Sequence, residues 1–156
     1  MYFWKIDLLK AQLIAKGLTE NQTYLYTLAY IVFTTFMVEL MRYSPDTVFN
    51  EWTHFSSTMN VLIPVAGTMM AFRANGGASG VQFLPRYLSI SMVASLRFMV
   101  LVIIPLIMTI ATLNPESALS GSPFDLLFSA CDALLFFFIV KHMREVATAR
   151  PGADSR

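Results

Sequence analysis

Charge is scarce in this sequence, and that scarcity is the first constraint on what the chain can be. Asp, Glu, Lys and Arg make up 13% of its 156 residues, about half the share found in ordinary soluble domains. The net charge of +1 leaves no broad basic surface, and nucleic acid is not an expected partner because phosphate affinity needs clustered Lys and Arg. Cysteine is nearly absent: Cys131 stands alone, which excludes an internal disulfide. The only histidines, His54 and His142, fall in different segments, so no zinc set assembles from the sequence and no metal or other cofactor is expected. The chain also lacks HExxH and GxSxG motifs, and it has no Ser, His and Asp that could meet at one depth of a bilayer. No catalytic residue is therefore assigned, and an enzyme is not expected. Residues 1–16 lack the continuous apolar core of a signal peptide, which leaves the first long apolar segment to direct insertion.

What the chain has in abundance is apolar residues, at 56% of the total with a mean hydropathy of +0.58. They come in blocks. The longest, residues 88–113, rises at about 1.5 Å per residue and so outreaches a hydrocarbon layer about 30 Å thick. Three further blocks, 24–41, 55–72 and 124–140, are each long enough to cross as well. The expected architecture is all-α: an integral membrane four-helix bundle over residues 23–145, preceded by an amphipathic interfacial helix at 1–18 and followed by a disordered tail at 146–156.

On a helical wheel Tyr2, Ile6, Leu9 and Leu13 form one apolar stripe, with Lys5 and Lys16 beside it and Lys10 inside the arc. Such a helix suits an anionic headgroup layer, with Trp4 at the boundary. The alternative is a soluble extension that packs against protein. Gly17 is a helix stop. Span one has Glu39 near its far end, and the following turn carries Trp52 as an interfacial anchor. Span two is the most polar, with Ser56, Ser57, Thr58, Asn60, Pro64, Gly67 and Thr68. Its small and amide side chains predict a face turned to protein or water rather than lipid. The connection through Gly76, Gly77 and Gly80 is a flexible turn. Between Arg73 and Arg86, its amides also offer a nest for a phosphate or lipid headgroup.

Span three is expected to bend at Pro105, and Ser91 with Ser95 gives it a small-residue face. Ser122, Pro123 and Asp125 make a helix start for span four. Within span four, Ser129 and Ala133 form a narrow face, and Lys141, His142 and Arg144 mark the boundary. The basic residues Lys5, Lys10, Lys16, Arg73, Arg86, Lys141, Arg144, Arg150 and Arg156 fall on one side of a four-span arrangement and only Arg42 on the other. Both termini are therefore expected in the cytoplasm, with the chain multi-pass in an inner or plasma membrane.

Two intramembrane charges remain, Arg97 in span three and Asp132 in span four. A lone charge near the bilayer centre costs from about 3 to above 10 kcal/mol, so mutual pairing is the leading expectation. In the alternatives, Arg97 reaches out toward the cytoplasm and leaves Asp132 to a neighbouring subunit, or Asp132 titrates on an ion path with Glu39, Asn60 or Ser129. The expected partners are the bilayer and other membrane subunits, or further copies of the chain. The expected function is a non-enzymatic subunit or accessory protein of a membrane complex. The alternatives are a small channel or transporter lined by Asn60, Asp132 and Arg97, and a membrane-resident immunity or phage-defence component.

Overall fold

The computed structural model describes residues 2, 4–41, 51–113 and 124–149, and every element among them is helical. These are α1 (Ile6–Ala15), α2 (Glu20–Met41), α3 (Glu51–Ala74), a 3-10 turn (Gly77–Ser79), α4 (Phe83–Phe98), a π-helical turn (Met99–Ile103), α5 (Ile104–Leu113) and α6 (Phe124–Thr148). Arg42, the expected turns around Pro45 and Pro115, the Ser122–Pro123 start, the Asp125 side chain and residues 150–156 lie outside what is described.

Local chemistry sets most of the boundaries. α1 stops at Gly17, which takes a φ of 71° that a side chain would resist, while the Lys16 and Gly17 amides both donate to the Gln12 carbonyl. α2 opens four residues before the apolar block because Thr19 and Gln22 cap it reciprocally. The Gln22 amide donates to Thr19 Oγ1 at 3.3 Å, and the Thr19 amide donates to Gln22 Oε1 at 3.2 Å. At Pro105 the missing amide removes one rung of the ladder. The chain meets it with the π-helical turn just ahead, so the expected disturbance is centred on Met99–Ile103.

Among the described residues, three helical stretches are long and apolar enough to cross a membrane: Glu51–Ala74, Phe83–Thr112 and Leu126–Thr148. This is the pattern of a multi-pass membrane protein. Within them only 11%, 17% and 28% of the apolar window is buried by the chain itself. α2 begins with Glu20, Asn21 and Gln22 and carries Glu39, and it is not among the three.

α4 occupies the centre, touching α1, α2 and α6, and its residues Ser89 to Ala94 are buried on every side. α3 packs most extensively on α6. Ser56 meets Ser129 and Gly67 meets Phe136, so the two helices run parallel. A Cβ on Gly67 would overlap the Phe136 ring, which shows how close the helices come. The stripe of α1 is buried against the bundle: Ile6, Leu9 and Leu13 join Ile90, Val93, Ile139, Met143 and Val146 in one cluster. It therefore faces protein, as in the packed alternative, and not an open headgroup layer. Val146 is wholly buried, so the helix continues through the first residues of the expected tail.

Two outcomes follow. Gly67→Ala should lower stability in detergent by about 1–3 kcal/mol by overpacking the seam, and Phe136→Leu should restore part of it. Thermal unfolding of the single and double variants measures this. α1 is held more by burial than by charge. Leu9→Ala should cost about 2–5 kcal/mol, whereas Lys10→Met, which removes half-exposed ion pairs, should cost about 1 kcal/mol or less. Protease sensitivity of the α1–α2 junction reports the difference.

Candidate functional site

The α3–α6 seam fixes how α6 is rotated, and the rotation sorts its polar residues onto two sides. On the α3 side Ser129 Oγ lies 3.3 Å from Ser56 Oγ, and Phe136 fills the space over Gly67. Asp132 falls between these two contacts on α6, and Asn60 falls at the matching level on α3. Asp132 is half-buried and Asn60 exposed, so the seam is open at that level. An amide and a carboxylate thus share one depth on one edge of the bundle.

The other side of α6 turns Leu135, Phe138 and His142 toward α4 and α1. There they enclose a cleft of about 420 Å³ together with Ile6, Asp7, Ala94, Arg97, Phe98, Leu101 and Val102. Arg97 lines this cleft beside Leu135 and His142, and among the described residues no ion pair joins it to Asp132. The pairing expected from the sequence is thus not formed among the described residues. Arg97 shares the cleft with Asp7 and Ile6 at the α1 end.

That end holds a small charge network missed at the level of sequence. Lys10 Nζ lies 3.0 Å from Asp7 Oδ1 and 2.9 Å from Glu145 Oε2, while His142 Nδ1 lies 3.1 Å from the same Glu145 oxygen. Burial works against the Lys10 ammonium, but its bonds to Glu145 and Asp7 outweigh it and raise its pKa. The hydrogen bond from Lys10 in turn holds the Asp7 carboxyl below its ordinary value. The i,i+3 spacings of Asp7 with Lys10 and of His142 with Glu145 were visible. Their meeting across 135 residues was not.

The remaining candidates are dispersed. Arg86 is 3% exposed and donates through Nη1 to Asn75 Oδ1 at 3.0 Å, while Asn75 Nδ2 donates to the Val81 carbonyl. The pair pins the α3–α4 connection instead of facing an outside anion. The Gly76, Ser79 and Gly80 amides donate to the Arg73, Gly76 and Gly77 carbonyls, so the expected nest has lost those donors to the turn itself. Thr68 and Tyr87 share a hydrogen bond of 2.9 Å next to the stacked rings of Phe83 and Tyr87. Ser91 is buried and Ser95 half-buried, whereas Glu39 and Arg73 are exposed. Trp4, Lys5, Lys16, Trp52, Lys141 and Arg144 are exposed too, and Lys10 is half-buried. Asn60 and Asp132 are not among the residues that line the cleft holding Arg97.

No protein family, no curated protein and no solved structure matches this chain.

With no ion pair between Arg97 and Asp132 among the described residues, Arg97→Leu and Asp132→Leu should act independently. Thermal unfolding in detergent should give a coupling energy within about 0.5 kcal/mol of zero in the double-mutant cycle.

Proposed function

We propose that the chain spans an inner or plasma membrane four times, as α2, α3, α4 through α5, and α6, with both termini in the cytoplasm. In this reading it serves as a non-enzymatic subunit that associates with copies of itself or with other membrane proteins. The observation that carries the proposal is the open α3–α6 seam, where exposed Asn60 and half-buried Asp132 share one level in the middle of long apolar helices. Hydrocarbon offers neither group a hydrogen bond, and polar side chains in such segments find their partners on neighbouring helices. The small share of each span buried within the chain supports the same reading. The one-sided basic residues support the orientation.

Native mass spectrometry and crosslinking in mild detergent should show the chain as an oligomer or with a copurifying membrane protein. Interhelical hydrogen bonds in membranes contribute about 0.6–1.7 kcal/mol, so Asn60→Leu should weaken association about 3- to 20-fold. A wild-type protein found only as a lone monomer would overturn the proposal.

A further inference from the structure

The cleft that Arg97 lines has a distinct chemistry. Its walls are apolar, formed by Phe98, Leu101, Val102, Leu135 and Phe138, and its charged groups gather at the end closed by α1. Leu101 and Phe138 are exposed at its mouth, so the cleft opens sideways from the helices. Three of the charges at the closed end are already spent on one another, with Lys10 bridging Asp7 and Glu145. His142 is tied through Nδ1 to Glu145. Arg97 has no carboxylate within ion-pair distance among the described residues. One fixed positive charge thus stands at the head of an apolar slot, whose volume of about 420 Å³ lies within the range of ligand pockets, about 300–1,000 Å³.

We propose that this cleft holds one anionic phospholipid of the surrounding bilayer, with its headgroup phosphate on Arg97 and an acyl chain along Phe98, Leu101 and Phe138. The planar fork of Arg matches phosphate geometry. The apolar mouth favours a lipid over a soluble anion, which would have to reach Arg97 past exposed hydrocarbon side chains. Asp7 is paired with Lys10 at 3.0 Å, a cation it shares with Glu145, so the Arg97 contact must outweigh the part of the Asp7 charge left over. Asp7 lines the same cleft beyond ion-pair distance, and in the proposal the lipid phosphate supplies the close counterion that Arg97 lacks.

The inference rests on the membrane-spanning reading, which alkaline washing of isolated membranes tests separately. A chain that stays in the pellet but shows no lipid preference refutes the lipid site alone. The decisive experiment titrates the full-length protein in neutral detergent with phosphatidylglycerol, phosphatidylcholine or inorganic phosphate. Phosphatidylglycerol near saturation should raise Tm by about 5 °C, and the other two should leave it nearly unchanged. Arg97→Gln should weaken the phosphatidylglycerol response about tenfold, equivalent to about 1.4 kcal/mol. Should that variant fail to fold, Leu101→Trp keeps the charge, and its fluorescence should be quenched by brominated phosphatidylglycerol well beyond brominated phosphatidylcholine. An equal response to the two lipids, an undiminished response in Arg97→Gln, or stabilisation by phosphate alone would each overturn the proposal.

Discussion

The close approach of α3 and α6 governs the rest of the molecule. Gly67 lets the Phe136 ring lie directly on the backbone of α3, and the Ser56 and Ser129 hydroxyls meet further along the same seam. A helix held at two such points has no freedom to rotate. Fixing Ser129 and Phe136 toward α3 places Asp132 on that side, while Leu135, Phe138 and His142 turn toward α4 and α1. Among the described residues Arg97 and Asp132 form no ion pair, and each charge has its own surroundings.

This separation changes how an apolar helical protein can carry charge. A buried pair between Arg97 and Asp132 would have made the bundle self-sufficient, with each group neutralising the other and little reason for an outside ligand. Instead each charge stands at an opening. Asp132 lies at the exposed level of Asn60, and Arg97 at the head of a cleft that opens past Leu101 and Phe138. In the proposed membrane setting both openings look for complements that the chain does not supply, from a neighbouring helix on one edge and from a lipid on the other. The limited burial within each span, 11% to 28%, accords with a protein finished by its surroundings.

The N-terminal helix has a structural role in this arrangement. Its stripe completes the cluster around α4 and α6, and Lys10 ties it to Glu145 near the end of the chain. In doing so α1 closes one end of the Arg97 cleft. Burial of Ile6, Leu9 and Leu13 supplies most of its hold, and the ion pairs set its register.

Sequence alone determined what depends on composition, period and short range: helices instead of strands, apolar blocks long enough to cross a bilayer, the stop at Gly17, the disturbance near Pro105 and the stripe of α1. The reciprocal cap between Thr19 and Gln22 was equally local, a T-x-x-Q pattern read there only as a polar link. Which charge meets which was decided by tertiary structure. Spacing places Arg97 and Asp132 within reach along the membrane normal, but it carries no information on how α6 is turned. That angle comes from van der Waals contact between Gly67 and Phe136, residues whose sequence separation gives no hint of their meeting. The same holds for Arg86, whose charge suggests a surface and whose burial against Asn75 follows only from the folding back of α4 on α3.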